Sequence, residues 1–323
     1  MGNEQSIISI LNKGYYWEAK IYLTAIKLDI FSHLHLPQTA EGVAVAIGAD
    51  SLFLKRLLEA LVTMNLVECK EGRFQNIPMA TEFLSRQSPF YMGDIMLLQD
   101  AEWNHWGSLE QIIRSGRPTV TGNIFMNNPE QGERVHRVLS KMAKRMAPDL
   151  LRRFDLSPFQ TLLDVGGGGG VFSAAFLNAY PHLQGTLFDL PQVLPITKQQ
   201  MEQEGLTDRI KLIAGNFNQD EIVGTYDIVF LSDILHYQTP EENGALFQKL
   251  YRNVNLNGRI IVKDMFLGGE ERPGWNAIFS MHLMVYTEKG RCFKKQDVEG
   301  WLVAAGFTGI EEIERNAVLM AGK

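Results

Sequence analysis

Apolar residues in the first half of the chain recur at steps of three and four, the spacing of helices that bury one face. On this basis residues 4–36 and 92–153 are predicted to be helical, with a turn-rich break at 118–128. Between these regions, 41–47 is predicted to be a short helix, and Asp50 and Ser51 cap a second helix. A hairpin over 66–75, turning at Glu71-Gly72, completes a predicted winged helix.

The pattern changes after residue 160, where short apolar runs alternate with helical segments. Five runs are predicted to be strands: 161–165, 185–189, 210–214, 226–231 and 259–263. Apolar strands separated by helices indicate a parallel sheet that is covered on both faces. Two further runs, 308–314 and 317–321, predict an antiparallel hairpin at the sheet edge. The fold class is therefore α/β, with a Rossmann-like seven-stranded domain preceded by a mostly α winged-helix domain.

Charge argues against a nucleic-acid partner. The 323 residues carry 31 Lys and Arg against 37 Asp and Glu, a net charge of -6, which phosphate backbones and anionic membranes repel. The predicted recognition helix of the winged helix has only two basic residues, Lys55 and Arg56, and it also carries the acidic Glu59. This is little positive charge for contact with phosphates. We therefore expect a packing or dimerisation role for this domain, with a DNA-binding regulator as the least favoured alternative.

Cysteine content, histidine spacing and hydropathy bear on disulfides, metal sites, cellular compartment and membrane spans. Cys69 and Cys292 are far apart in the sequence, which argues against a disulfide framework or a cysteine zinc site and fits a reducing cytoplasm. The histidines match no metal motif, so we predict no metal. No apolar run reaches the roughly 18 residues of a membrane span, so we expect no membrane partner.

The strongest local signal is a run of five glycines, 166–170, between the first predicted strand and a helix. Glycines allow a sharp turn and a close approach to a ligand. The dinucleotide pattern GxGxxG fails here, because its last position falls on Val171 or Phe172, and the P-loop lysine is missing. Asp164, which precedes the glycines, is placed to bind a ligand's ammonium group directly or through water.

A second carboxylate extends this site. Asp189 ends the second strand, where a carboxylate accepts both hydroxyls of a ribose. An adenosine with an amino-acid tail satisfies both aspartates, which predicts S-adenosylmethionine as the cofactor. Asn216 is expected either to bond the adenine edge or to stabilise its turn, while Ser232 and Asp233 lie where the tail would be. The predicted cofactor-binding residues are Asp164, Gly166, Gly168, Asp189, Leu190, Gly215, Asn216, Phe217 and Ser232.

Three motifs carry a family resemblance: Asp-Val-Gly-Gly-Gly-x-Gly at 164–170, Phe-Asp-Leu-Pro at 188–191 and Leu-His at 235–236. The chain resembles, over nearly its whole length, the small-molecule O-methyltransferases of the caffeate and plant-phenolic type and their bacterial aromatic and polyketide-tailoring relatives. The resemblance implies a homodimer formed through the amino-terminal domain. It also implies three parts: a dimerisation domain at 1–105, a helical linker at 106–153 that contributes to the substrate pocket, and a catalytic domain at 154–323.

The resemblance also implies the catalytic residues. His236 matches the general base of the family, and Asp264 lies where the family usually has a glutamate beside that histidine. A phenol has a pKa near 10, so an adjacent neutral imidazole helps to remove its proton. We therefore predict His236 as base and Asp264 as the residue that orients it. The alternative is a structural histidine that caps a strand-to-helix corner.

Three departures from the family pattern bear on these roles. Asn216 replaces the aspartate of Gly-Asp-x-Phe, and Tyr237-Gln238 replaces Asp-Trp after the histidine. The second glutamate that flanks the histidine aligns with Gly290 or is displaced to Glu288.

The acceptor is expected to be a small, aromatic hydroxyl compound. The predicted substrate residues are Phe125, Met126, Tyr237, Phe279 and His282. For His282, substrate contact and a buried structural role are equally open. Methylation at carbon or nitrogen, with His236 or Tyr237 orienting the acceptor, and a relative that keeps the cofactor without transferring methyl both stay as alternatives.

Overall fold

The computed structural model describes residues 16–119, 129–269 and 274–323. For residues 129–134 it describes the backbone only. The chain divides into two compact units, Met1–Asn104 and His105–Lys323. The predicted linker, 106–153, lies within the second unit. Among the described residues, no helix is both long and apolar enough to cross a membrane.

The first unit is a small helical domain with a two-stranded wing. Its elements are α1 (Trp17–Lys27), α2 (Ile30–His33), α3 (Ala40–Ile47), α4 (Ser51–Thr63), β1 (Val67–Lys70), β2 (Arg73–Asn76), α5 (Pro78–Leu84) and α6 (Gly93–Trp106), whose last residues enter the second unit. Residues 17–27 and 30–33 are helical, as predicted for 4–36, but the region is divided into two helices and ends earlier than expected. Asp29 adopts a left-handed φ of 55°, which ends α1, and α2 stops at His33. The part of this prediction before residue 16 lies outside the described residues.

The winged-helix prediction is confirmed element by element. The Asp50 carboxylate accepts a hydrogen bond from the backbone amide of Phe53 at 3.0 Å, which caps α4 as expected. The wing turns at Glu71 and Gly72, both at positive φ, so that β1 and β2 pair in antiparallel register. Leu58 and Leu61 of α4 are fully buried in the core of this unit.

The second unit contains the large sheet. Its helices are α7 (Leu109–Ser115), α8 (Pro129–Leu151), α9 (Val171–Ala179), α10 (Leu194–Gln203), α11 (Pro240–Asn253), α12 (Asn276–Tyr286) and α13 (Lys295–Ala305). Its strands are β3 (Thr161–Val165), β4 (Gln184–Asp189), β5 (Ile210–Ala214), β6 (Tyr226–Ser232), β7 (Val254–Lys263), β8 (Thr308–Glu314) and β9 (Val318–Gly322). All seven predicted strands are present, and β7 begins five residues earlier than expected.

The sheet order is β5-β4-β3-β6-β7-β9-β8. The first five strands are parallel, and β9 and β8 add antiparallel at one edge. Neighbouring residues such as Leu162 and Leu163 belong to separate apolar clusters on the two faces, so the sheet is buried on both sides as predicted. Because β3 lies between β4 and β6, the carboxyl ends of these three strands meet where ligands bind in open parallel sheets.

Candidate active site

The glycine loop joins the carboxyl end of β3 to the amino end of α9. Gly166, Gly168 and Gly170 all have left-handed φ angles, of 69°, 55° and 73°, a conformation that residues with a Cβ seldom adopt. Gly169 is confined by α8, because a Cβ built there would lie 2.6 Å from the Oγ atom of Ser140. The backbone therefore requires glycine at 166, 168 and 170, and Ser140 leaves no room for a Cβ at 169, in agreement with the predicted sharp turn.

Asp164 lies beneath this loop and is 1% exposed. Its Oδ2 atom accepts a hydrogen bond from the Ser173 hydroxyl at 2.6 Å, whereas Oδ1 is buried with no hydrogen-bond partner among the described residues. Burial raises the pKa of Asp164 to about 7, although the bond from Ser173 opposes the rise. A cationic donor that reached Oδ1 would satisfy this oxygen and favour the carboxylate form.

Asp189 ties the loop to the neighbouring strand. Its Oδ2 atom accepts from the Gly168 amide and its Oδ1 atom from the Leu190 amide, both at 2.7 Å. Burial raises the pKa of Asp189 despite these two bonds, which act in the opposite direction. Each carboxylate oxygen keeps a second lone pair, so both can still accept from the hydroxyls of a ribose.

The ends of β5 and β6 border the same loop. A Cβ built on Gly166 would lie 2.8 Å from Ile234 and 3.5 Å from the Phe217 ring, so both side chains flank the loop. The Asn216 side-chain oxygen accepts from the Asn218 amide at 2.9 Å, which is the turn-stabilising role; its contact with adenine stays a prediction. A Cβ on Gly215 would overlap the Phe188 ring, so this turn also requires glycine.

His236 lies in a short 3-10 turn after β6, and Asp264 follows β7 directly. The His236 Nδ1 atom is 2.5 Å from the Asp264 Oδ1 atom, and both side chains are almost fully buried. Asp264 also accepts from the backbone amides of Leu235 at 3.0 Å and Met265 at 2.7 Å. The carboxylate is therefore fixed, and it holds the imidazole with Nε2 as the ring nitrogen that Asp264 does not engage.

Each member of this pair shifts the pKa of the other toward its charged form. Burial alone would lower the pKa of His236, but the Asp264 carboxylate outweighs it and the net shift is upward. Burial likewise opposes ionisation of Asp264, whereas His236 and the Met265 amide bring the pKa of Asp264 below its usual value. The pair therefore increases the proton affinity of the imidazole and keeps Asp264 ionised.

Aromatic side chains surround His236. Its ring centroid lies 4.3 Å from that of Tyr237 and 5.5 Å from that of Phe279, which meets it edge-on. Along α12 the Phe279 ring stacks on His282, which in turn lies 6.4 Å from Trp106. Burial lowers the pKa of His282, and the nearby His236 lowers it further. Of the predicted substrate residues, Tyr237, Phe279 and His282 therefore lie together around His236, while Phe125 and Met126 fall outside the described residues.

The second glutamate of the family has no equivalent at Gly290. The Arg291 amide donates to the His236 carbonyl at 2.9 Å, so this segment packs directly against the base. A Cβ on Gly290 would lie within 2.1 Å of the Thr287 hydroxyl oxygen, and Glu288 is exposed. Among the described residues, Asp264 is the carboxylate that bonds the His236 ring.

Two groups near the site were missed by the sequence reasoning. Ser140 and His136 lie on α8 above the glycine loop, where a Cβ on Gly168 would be 3.7 Å from the His136 Nδ1 atom. Lys263 ends β7 and pairs with Asp233 at 2.5 Å. The sequence gives little indication of this ion pair, because Lys263 is a single lysine at the end of an apolar strand. Lys263 already supplies a positive charge at Asp233, so this carboxylate does not need a metal ion to balance it. That the protein binds no metal stays a prediction.

The chain matches two domain families in succession. Residues 13–86 match an O-methyltransferase dimerisation domain. Residues 106–308 match an O-methyltransferase domain. Together they span most of the chain, and the catalytic-domain match begins close to the boundary between the two compact units.

Curated relatives differ in the atom that their names say is methylated. The tetracenomycin polyketide synthesis 8-O-methyl transferase TcmO of Streptomyces glaucescens is 25% identical over 303 residues, covering 91% of this chain and 89% of that protein. The N,N-dimethyltransferase OxyT of Streptomyces rimosus is 27% identical and covers 77% and 75%. The L-tyrosine C(3)-methyltransferase of Streptomyces lavendulae is 27% identical and covers 84% and 76%.

Solved structures share the fold. Human N-acetylserotonin methyltransferase in complex with S-adenosylmethionine has a TM-score of 0.84 and 22% identity, and the match covers 98% of this chain and 97% of that one. At this level of identity the likeness concerns the fold.

Proposed function

Because this chain belongs to the O-methyltransferase family, we propose that it transfers the methyl group of S-adenosylmethionine to a hydroxyl of a small aromatic metabolite, with His236 as general base. The observation that carries the proposal is the buried His236–Asp264 pair, whose Nδ1–Oδ1 distance is 2.5 Å. This pair lies beside an aromatic wall, and Ile234, two residues earlier, contacts the glycine loop.

The residues around the glycine loop suit the cofactor of this family. The unpartnered Oδ1 atom of Asp164 would receive the ammonium of the amino-acid tail, and Asp189 would accept the ribose hydroxyls. Phe217 and Ile234, which flank Gly166, would provide apolar contact. The bound cofactor supplies a methyl group that is already electrophilic on a sulfonium, so the protein has to orient the acceptor and remove its proton.

The proton transfer follows from the geometry of His236. The Nε2 atom of the neutral imidazole accepts the proton of the acceptor hydroxyl as the methyl group is transferred. Asp264 then stabilises the imidazolium, since its Oδ1 atom already bonds Nδ1 and both of its oxygens are held by backbone amides. Phe279 and Tyr237, whose rings contact His236, would hold the acceptor ring in line.

The amino-terminal unit is proposed to join two copies of the chain. Its match to a dimerisation domain covers residues 13–86. Lys55 and Arg56 are the two cations of the second helix of the winged helix, too few for strong phosphate contact, so dimerisation stays favoured over nucleic-acid binding. The cytoplasm stays the expected location, in keeping with the two free cysteines.

The test combines a methyl-labelled cofactor with a panel of phenols whose pKa lies above the assay pH. We expect label transfer in which the acceptor hydroxyl is lost, and we expect H236Q to abolish transfer while its affinity for S-adenosylhomocysteine stays near that of the wild type. Unchanged turnover of H236Q would reject the assignment of the base.

A second candidate function is methylation at nitrogen or carbon. It is favoured by the activities that the names of OxyT and of the tyrosine C(3)-methyltransferase state, and by the presence of Tyr237-Gln238 after the histidine. In that reaction His236 would orient the acceptor. A labelled product that keeps its free hydroxyl would select this candidate.

A further inference from the structure

A second ion pair lies at the carboxyl ends of β6 and β7, beside the His236–Asp264 pair. The Lys263 Nζ atom is 2.5 Å from the Asp233 Oδ2 atom, and the Ser232 hydroxyl donates to that same oxygen at 2.7 Å. The Lys263 side chain is only 12% exposed and its ammonium lies 5.5 Å from the centroid of the Phe172 ring. A lysine so poorly solvated needs a partner, and Asp233 provides it.

The backbone holds Asp233 in an uncommon conformation. Its φ is 58°, in the left-handed region, and its amide donates to the Lys263 carbonyl at 2.8 Å. Main chain and side chain of Lys263 thus both bind Asp233. This double attachment fixes where the carboxylate lies relative to the following 3-10 turn, which contains His236.

The two ion pairs are close enough to interact. One ring nitrogen of His236, one carboxylate oxygen of Asp264 and one of Asp233 all lie within 4.8 Å of one another. At such a distance a unit charge changes the proton affinity of an imidazole, although the Asp233 side chain is 40% exposed and solvent screens part of its effect. The described residues therefore place a second carboxylate near His236.

Other groups also lie near the His236–Asp264 pair, among them the Cys292 thiol, whose pKa is raised to about 12 by burial and then by Asp264. Asp264 bonds Nδ1, and His282 faces the ring from α12 as an imidazole whose pKa is lowered by burial and then by His236 itself. The Tyr237 ring packs against His236. From the 287–292 segment, the Arg291 backbone amide bonds the His236 carbonyl, and the Arg291 guanidinium lies over the Phe293 ring.

The electrostatic effects of the second pair have opposite signs. After burial and Asp264, the next influences on the pKa of His236 are Asp233, which raises it, and Lys263, which lowers it. The short distances have the same implication, since an anion favours an imidazolium and a cation opposes it.

We propose that Asp233 and Lys263 are positioning residues that set the basicity of His236. The Asp233 carboxylate stabilises the imidazolium, and Lys263 both fixes that carboxylate and offsets its charge. The pair supplies the second flanking carboxylate that Gly290 has no room to carry. This inference rests on the proposed function, since basicity matters only if His236 takes the proton.

The test measures the protonation of His236 directly as well as the rate. Protein with 13C-labelled histidine Cε1 is titrated by NMR, and H236Q identifies the resonance of His236 among the seven histidines. The variants are D233N, which tolerates a left-handed φ, K263M, which keeps the buried stem without the charge, and the double variant. In parallel, the acid limb of kcat/KM is recorded for each variant.

We expect shifts of opposite sign. The midpoint of His236 falls by about one pH unit in D233N, rises by about one unit in K263M, and returns near the wild-type value in the double variant. Should D233N fail to fold, the rise in K263M carries the test. Midpoints that stay within 0.2 units in all variants, or that move in the same direction in both single variants, overturn the inference.

A matched control pair lies at the opposite ends of the same strands. Glu221 precedes β6 and Arg252 precedes β7, and their side chains are 3.5 Å apart and exposed. The seven residues of β6 separate them from the site by roughly 20 Å, so E221Q and R252Q should leave the midpoint of His236 unchanged. If the titration midpoint shifts as expected but the acid limb does not follow, the positioning pair is upheld and His236 as base is refuted.

Discussion

Replacing Asp264 with asparagine isolates the role of its charge, because the two side chains have nearly the same shape. The asparagine oxygen can still accept from His236 Nδ1 and from the Met265 amide. The imidazolium formed during proton transfer then lacks its anionic partner. A charge-assisted hydrogen bond contributes about 1.5–3 kcal/mol, so we expect kcat/KM to fall about 10- to 150-fold.

The same substitution has a stability cost that can be separated from the effect on rate. The new side-chain NH2 group faces the Leu235 amide, which now donates to Oδ2 at 3.0 Å. Two donors would then face each other in a buried site, at a cost of about 1–3 kcal/mol. Denaturant unfolding of the D264N variant measures this loss.

The pH dependence gives the sign of the charge effect. Burial lowers the pKa of His236 and Asp264 raises it, with a net rise. Removing the negative charge therefore lowers that pKa, and the acid limb of kcat/KM moves to lower pH. The assay is the initial rate of label transfer across pH at saturating cofactor.

D227N is the matched control for this substitution. Asp227 lies at the opposite end of β6, where its Oδ2 atom accepts from the amides of Gln160 and Thr161 at 2.9 and 3.0 Å. It should lose stability in the same way and keep the wild-type pH profile. If D264N kept the wild-type rate and acid limb and lost only as much stability as D227N, the catalytic role of Asp264 would be refuted.

Two further predictions follow from buried groups at the site. Asp164, with a pKa raised to about 7 by burial, should release a proton when the cofactor ammonium binds, so affinity for S-adenosylhomocysteine should rise with pH through about 7. Calorimetry in buffers of different ionisation enthalpy measures that proton, and D164N should bind more weakly without releasing it; a pH-independent affinity in the wild type would contradict the role. Restoring the family glutamate as G290E should destabilise the protein by about 1–3 kcal/mol without increasing the rate, because its Cβ overlaps Thr287. Thermal unfolding of G290E and of G290E/T287G checks this, and a faster, equally stable G290E would show the overlap argument to be wrong.

Local patterns predicted most of the second unit. The glycine loop, the seven strands and the edge hairpin follow from short-range hydrophobic spacing and turn residues. The meeting of His236 and Asp264 was also predictable, because both lie at the carboxyl ends of strands that the resemblance places side by side. In these cases, sequence position alone determines spatial position.

Other features depend on side-chain directions that spacing does not determine. Ile30 and Phe31 continue the helical pattern of α1 across the break at Asp29, so periodicity hides the break. No pattern indicates that the Lys263 side chain turns inward to Asp233. Whether position 290 can carry the family glutamate depends on the space beside Thr287. Sequence spacing does not show this space, because it results from three-dimensional packing.

The most direct test of the central claim compares wild type and H236Q over a series of phenols of decreasing pKa at one fixed pH. If His236 removes the acceptor proton, acceptors that are already ionised need no base. The ratio of wild-type to H236Q rates should therefore be large for weakly acidic phenols and approach one when the phenol pKa lies below the assay pH. A ratio that stays constant along the series would contradict general-base catalysis by His236.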